Sequence, residues 1–414
     1  MVGNILVLNR WPQYPNSDRW DNELARYSDL ICHRRYQVVY ICDTLGQQGV
    51  TFDGLGGSHI HVVPDFNDFD VVSDLVGTLI RHHGPFDRVV AFSEYLLDLA
   101  ARLRELYGIP GPRADEVDRF RDKTVMKNIL RKAGIRTPRW SLCRDVPQVM
   151  ADATALGYPL IIKPVRGASS KGVRKIASAA ELETVCQSQI VAGFEIEEYI
   201  DGEVLHADGV VDENGACLFM SVSRYISPCL DFEAGLPLGS IIQTDPELCG
   251  QCRRFALDCL AALGLKSSAF HLEFFRTGDD LVFLEIGARV PGADVSYVIH
   301  DVFGVNLFRL WVDVTLGHRV APSRHQPRDS GGWLTIPRPR PLPRRVIHST
   351  SLLGRVPFLY RELIPHPGQI LEDAAGYANL QGGRFLFRGG SEPEIADAIR
   401  AAQSSFTLVT VGQA

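Results

Sequence analysis

No uninterrupted apolar run in the sequence approaches the roughly 20 residues of a membrane span, so a spanning helix is not expected. Positive charge is not in excess either. The formal net charge of −6 argues against non-specific nucleic-acid binding as a main role. The N-terminal stretch Met1-Val2-Gly3-Asn4-Ile5-Leu6-Val7-Leu8-Asn9-Arg10 lacks a basic leader, and its apolar run is too short for a signal peptide. Cys249 and Cys252 form a C-x-x-C pair, but no second pair stands at zinc spacing, and the nine cysteines are scattered and odd in number. In the helical pattern Pro246 to Leu263, Cys252, Phe255, Cys259 and Leu263 also make a buried stripe, so these cysteines read as core residues in a reducing cytoplasm. Internal repeats are absent. Gly54-Leu55-Gly56-Gly57 lacks the G-x-G-x-x-G spacing of a dinucleotide fingerprint and reads as a turn.

What remains is an ordinary globular composition, 45% hydrophobic and 22% charged, over 414 residues. That length exceeds one core and predicts two to four domains or subdomains. Strand patterns at Asn4 to Leu8, Gln37 to Cys42, His59 to Val63 and Phe86 to Phe92 alternate with helical ones at Trp20 to Cys32, Val71 to His83 and Tyr95 to Tyr107. Such alternation predicts a parallel α/β unit over about residues 1–110, with Gly108-Ile109-Pro110-Gly111-Pro112 as its boundary.

Beyond it, Arg119 to Ile135 carries an apolar helix stripe, with Asp122 as cap and Lys123 in the first turn. A lysine there opposes the helix dipole, a cost that a bound anion offsets. Gly157 to Val165 reads as a strand that ends in Lys163, followed by the loop Arg166-Gly167-Ala168-Ser169-Ser170-Lys171-Gly172-Val173. Two glycines, two hydroxyls and cationic side chains supply N–H groups and positive charge for a phosphate, although the loop is not a Walker A motif and a plain flexible turn has the same composition. Phe194 to Glu203 is an acidic–apolar strand entering a turn. Strands at Val204 to Val211 and Cys217 to Ser223 flank the turn Asp212-Glu213-Asn214-Gly215, and Ser227 to Gly239 is a Pro/Gly-rich loop. Asp301 to Leu316 is predicted helical, and Arg338 to Arg345 an extended connector.

The stretch Phe270 to Arg289 reads as a β-hairpin. A three-residue loop, Gly278-Asp279-Asp280, would set Phe275 opposite Phe283, Glu273 opposite Glu285 and His271 opposite Gly287. Directly opposed side chains have Cβ atoms roughly 4.5–5.5 Å apart, so the two carboxylates repel unless a cation lies between them. A hard cation such as Mg²⁺ takes carboxylate oxygens together with substrate phosphates. Two unrelated glutamates on a solvated face are the plainer alternative. A two-residue Gly278-Asp279 turn would send Glu285 to the other face.

Taken in order, the lysine helix, the strand ending Lys163-Pro164, the Gly/Ser loop, Glu197-Glu198-Tyr199-Ile200-Asp201-Gly202-Glu203, then Glu273 and Glu285-Ile286-Gly287-Ala288-Arg289 resemble the ATP-grasp superfamily of carboxylate–amine ligases. The last motif looks most like that of the L-amino acid ligase branch. The resemblance covers about residues 110–320. It implies an α/β (α+β grasp) fold: a Rossmann-like domain at 1–110, a grasp subdomain with a mobile phosphate loop at 111–190, a second with the metal and catalytic residues at 191–322, and a small C-terminal α/β extension at 323–414. It also implies roles. Arg289, Lys163, Ser169 and Lys171 would be catalytic; Lys123, Lys163, Gly167, Ser169, Ser170 and Gly172 would hold ATP phosphates; Glu197, Glu198, Tyr199, Ile200 and Glu203 would hold adenosine, the adenine edge through the Glu198 and Ile200 backbone; Glu273 and Glu285 would ligate Mg²⁺, with Mn²⁺ an alternative. Gly287 departs from the family's usual Asn and offers no side-chain ligand for a second metal. His206, Asp208, Arg224, Tyr225, His271 and Arg289 are substrate candidates, each with the alternative of a satisfied polar residue on a sheet face. The implied reaction joins a small, amino-acid-like carboxylate and an amine at the expense of ATP, in the cytoplasm, with neither nucleic acid nor membrane as partner and a homodimer left open. A phosphotransferase and a non-catalytic ATP-binding regulator are the two rival readings.

Overall fold

The computed structural model describes residues 3–11, 23–50, 59–167, 170–188, 191–233, 235–322, 329–372 and 381–412. Its first sheet is parallel. β1 (Gly3–Asn9), β2 (Tyr36–Cys42), β3 (Ile60–Val62) and β4 (Arg88–Ala91) lie in the order β3-β2-β1-β4. β1 reads as a continuous apolar run because Ile5, Leu6, Val7 and Leu8 are all buried, so neither face of this sheet meets water. The helix expected from Trp20 to Cys32 is shorter. Among the described residues it is a 3₁₀ turn, Glu23–Ala25, and one helical turn, Tyr27–Leu30, separated by Arg26 in an extended conformation.

The second sheet is antiparallel and small: β5 (Trp140–Leu142), β6 (Leu160–Pro164), β7 (Arg174–Ile176) and β8 (Phe194–Glu198), in the order β5-β8-β6-β7. Helices Val146–Leu156 and Ala179–Ser188 cover one face, where Leu160, Ile162 and Ile196 pack with Val149, Ala153 and Leu182. Alternation sends Lys163, Glu195 and Glu197 to the opposite face. The lysine helix is Lys123–Lys132, and the Asp122 carboxylate accepts from the Thr124 and Val125 N–H groups at its start.

β9 (Glu203–Val211), β10 (Cys217–Tyr225), β11 (Leu238–Ile242), β12 (Ser268–Thr277), β13 (Asp280–Gly287), β14 (Ser330–Pro337), β15 (Arg344–Ser349), β16 (Leu359–Leu363), β17 (Ile370–Leu371), β18 (Gln381–Gly390) and β19 (Leu408–Gly412) complete the chain. Eight of them form one sheet, β13-β12-β9-β10-β11-β14-β18-β16, and three form a separate β17-β15-β19 sheet. A boundary at 322/323 is therefore no division of the large sheet, because β14, β18 and β16 extend it from residues beyond 322. The Ser227–Gly239 loop contains the short helix Cys229–Glu233 and the start of β11, which pairs with β14. The predicted helix 301–316 is two helices, Val295–Phe303 and Leu307–Thr315, parted at Gly304, whose φ of +72° ends the first. Cys252, Cys259 and Leu263 are buried in the helix Pro246–Leu263, as the stripe predicts.

The hairpin at 270–289 forms, but its turn has two residues, not three. Thr277 pairs with Asp280 around Gly278 and Asp279. Gly278 has φ +61° and Asp279 has no positive φ, the pattern of a II′ turn. The expected slip of Glu285 to the far face does not follow. A bulge between Glu273 and Phe274 places Leu284 as an extra residue on β13, so Phe274 pairs with Phe283 but Glu273 still pairs with Glu285, and His271 with Gly287.

Candidate active site

Two groups of charged side chains lie close together, one on the small sheet and one on the large sheet. On the small sheet, Lys127 Nζ lies 2.6 Å from Glu195 Oε1 and 2.7 Å from Glu197 Oε2, and Lys163 Nζ lies 2.6 Å from Glu197 Oε1 and 3.9 Å from Glu195. All four side chains are buried. Burial works against the Lys163 charge, but Glu197 and Glu195 raise its pKa above the usual lysine value. Burial likewise would raise Glu197, and the two lysines pull it below the usual carboxylate range. Burial leaves Glu195 raised, with Oε2 lacking a partner.

On the large sheet, Glu273 and Glu285 are opposed in register. Each has its own counter-group. Lys123 Nζ is 3.1 Å from Glu285 Oε2 and also donates to the Gly167 carbonyl at 3.4 Å. The Tyr225 hydroxyl donates to Glu273 Oε1 at 2.8 Å, and His271 Nε2 is 3.3 Å from the same oxygen. Burial would raise Glu285, but Lys123 and Lys163 hold it at about 2. The repulsion between two opposed carboxylates is thus relieved by protein cations and donors. Lys123, at the first turn of its helix, links the loop at Gly167 to this carboxylate pair.

Arg289, just past β13, donates from Nε to Glu94 Oε2 at 2.6 Å, and Glu94 also accepts from Arg121. Glu94 follows β4 of the parallel sheet, so a residue about 195 positions away holds the arginine. Burial would raise Glu94, but Arg289 and Arg121 pull it below the usual carboxylate range. Burial lowers Arg289, and Glu94, Glu285 and Glu273 raise it further still.

The remaining predicted residues scatter more widely. Gly167 contributes its carbonyl to Lys123, Ser170 has φ +55° and Gly172 φ +78°, and Lys171 is exposed; Ser169 lies outside the described residues. The Glu198 N–H donates to the Arg139 carbonyl at 2.9 Å and its carboxylate binds the Arg139 side chain, so that N–H is already engaged and does not serve the adenine edge in this state. Ile200 is buried. The Tyr199 ring has Lys175 Nζ 3.6 Å from its centroid. Glu203 is exposed, with Arg224 and Arg276 each 3.9 Å away, and Arg224 reaches Glu392 at 3.3 Å. His206, Asp208 and His271 form one buried cluster with Tyr225 beside it.

Sequence reasoning missed Lys127, Glu195, Glu94 and Arg121. Lys127 stands one helical turn after Lys123 on the same face, and Ser93-Glu94 stands at the carboxyl end of a parallel strand, where ligands bind in open α/β sheets. Those two positions were signals that could have been read. Glu195 was not separable from Glu197 and Glu198 by pattern alone.

Residues 156–296 match the model of the ATP-grasp domain. The L-arginine-specific L-amino acid ligase of Bacillus subtilis is 25% identical over 267 residues, 62% of this chain and 64% of that protein. D-alanine–D-alanine ligase A of Brucella melitensis is 28% identical over 217 residues, 48% of this chain and 60% of that protein. Each match spans less than two thirds of the relative's own length. The crystal structure of L-amino acid ligase from Bacillus licheniformis superposes with a TM-score of 0.73 at 20% identity, covering 100% of this chain and 99% of that one, which shows a shared fold. Over residues 156–296 the chain therefore carries an ATP-grasp domain.

Proposed function

We propose that the protein is an ATP-dependent carboxylate–amine ligase that forms an amide bond between amino-acid-like substrates through an acyl phosphate. The carrying observation is the convergence of Lys123, Lys163 and Arg289 on the opposed pair Glu273/Glu285. A ligation of this kind brings a substrate carboxylate, a triphosphate and a leaving phosphate together, and only fixed cations make that arrangement stable. Relatives that act on amino acids support the substrate class.

The donor set suits Mg²⁺: two carboxylates opposed in register offer hard oxygen ligands. Glu273 and Glu285 would hold it, and it would supply neutralisation of phosphate charge when bound. The protein's own residues do the rest. Lys163 moves its charge from Glu197 to phosphate oxygens, and Lys123 does so from Glu285. The substrate carboxylate oxygen then attacks the γ-phosphorus, and the bond to the bridging oxygen breaks to release ADP. Arg289 stabilises the transferring group and the acyl phosphate. The amine nitrogen attacks the acyl carbon, phosphate leaves, and the amine proton passes to solvent or a nearby acceptor. No nucleophilic side chain is needed.

The test is ADP and phosphate release with amino acids singly and in pairs, with mass spectrometry of the products. Release that requires both partners, with a condensation product, is expected. Phosphate transfer without an amine, or nucleotide binding without ADP formation, would replace this reading with a phosphotransferase or a regulator.

A further inference from the structure

Asp208 is wholly buried near the middle of β9, and its two oxygens hold two imidazoles. Oδ2 is 2.5 Å from His206 Nδ1, and Oδ1 is 2.6 Å from His271 Nδ1. The grouping follows from the strands. His206 and Asp208 are two residues apart and share a face of β9, while His271 on β12 stands directly opposite Asp208. One potential ligand atom from each of the three lies within 4.8 Å of the others.

The outer nitrogens are the unusual part. A neutral imidazole that donates its Nδ1 proton to Asp208 presents a bare lone pair at Nε2. His206 Nε2 is buried and has no partner. His271 Nε2 is 3.3 Å from Glu273 Oε1, a pair that a proton on that nitrogen bridges and that a divalent cation would bridge in its place. A carboxylate that fixes imidazoles at one nitrogen and so orients the other is what surrounds metal-bound histidines. Two imidazoles also change which ion is preferred, because nitrogen donors favour zinc-class ions over Mg²⁺.

We propose that His206, Asp208 and His271 build a site for a divalent transition-metal ion of the zinc class, with Glu273 Oε1 beside it as a further oxygen donor. The site lies on β9 and β12 of the large sheet, next to the Glu273/Glu285 pair, and differs from it in its nitrogen donors. The proposal does not rest on the ligase reading, since metal uptake needs neither nucleotide nor turnover.

The full chain, stripped with a chelator, is loaded with Co²⁺ or Zn²⁺ in excess Mg²⁺, and the metal retained after gel filtration is counted. One ion per chain is expected, with visible Co²⁺ bands of a nitrogen/oxygen site. His206→Ala and His271→Gln should each weaken retention at least about tenfold, and Asp208→Asn by about 10–100-fold. Glu285→Gln should leave retention in place, which separates this site from the Mg²⁺ pair. X-ray absorption of zinc-loaded wild type decides the matter even if the variants do not fold. Two imidazoles in the zinc shell support the site. A sulfur-rich shell from the nine free cysteines, an oxygen-only shell, no retention in excess Mg²⁺, or full retention by a folded His206→Ala variant overturns it.

Discussion

The small sheet and the large sheet hold their charged groups in different ways. On the small sheet, two lysines and two glutamates come from one helix and two adjacent strands and neutralise one another. On the large sheet, each member of the carboxylate pair borrows a partner from elsewhere: Glu285 from the lysine helix, Glu273 from β10 and β12. Arg289 is held by Glu94 from the first sheet. The first group is confined to one helix and one small sheet, and its glutamates keep one lysine if the other is drawn away. The second is assembled from distant segments, so it exists only when those segments are docked. Binding charge is local and chemical charge is shared.

The largest effect should come from breaking the shared side. Glu285→Gln removes the carboxylate that Lys123 and Lys163 stabilise, and turnover should fall on the order of 10²–10³-fold or more with the fold intact. Steady-state ADP release with circular dichroism as control checks it; near-native turnover would show that the pair holds no metal. Breaking the local side should cost stability as well as affinity. Lys163→Met leaves Glu197 with Lys127 alone, and loss of one partner from a buried network costs about 3–5 kcal/mol. Urea unfolding and calorimetric titration with a non-hydrolysable ATP analogue should both report a loss; an unchanged dissociation constant would remove Lys163 from the phosphate site.

Glu94→Gln sharpens the comparison at lower amplitude. It keeps the shape but removes the charge that holds Arg289, so turnover should drop more than ATP affinity does. Its pH signature has a definite sign. The Glu94 pKa is lowered in the fold, so its stabilisation is present above the ordinary carboxyl value near 4.5 and is lost as the pH falls through the folded value. The variant should therefore show a shallower loss of stability on acidification, read as melting temperature from neutral to acid pH. An identical acid limb in both proteins would mean that Glu94 carries no such linkage. The smallest effect belongs to the loop hinge. Gly172 has φ +78°, and a Cβ there would meet Pro164 Cγ at 3.1 Å, so Gly172→Ala should cost about 1–2 kcal/mol and leave substrate preference alone. Thermal unfolding checks this, and an unchanged melting temperature would mean that the loop relaxes freely around the new methyl.

The fold's outline was legible wherever one residue pattern decides local structure. β1 and β2 read as apolar runs, the lysine helix announced itself through Asp122, and the opposition of Glu273 and Glu285 was read from the hairpin. The turn was misread by one residue, and the bulge at Leu284 cancelled the error, because burying Phe274 and Phe283 together fixes the register from the other side. What a local pattern cannot show is which distant segment answers a given charge. Glu94 and Arg289, or Lys127 and Glu195, meet only through tertiary packing. The same holds for β11 and β14, which are strands by partnership more than by their own periodicity.

The C-terminal strands of the large sheet have a consequence for how the chain is made. β11 lies beside β14, and β14 beside β18 and then β16. During synthesis, β11 therefore emerges with an unpaired edge and must wait for roughly 90 further residues before β14 can close it. An exposed strand edge is a template for pairing with the wrong chain. The strands β12 and β13, which carry the carboxylate pair, are complete before that closure, at the opposite rim. A nascent chain should thus pass through a stage in which the carboxylate pair is in place while three of the eight strands of its sheet are still missing. Stalled ribosome–nascent chains ending near residue 322 should recruit chaperones and aggregate on release, and chains extended past residue 390 should not.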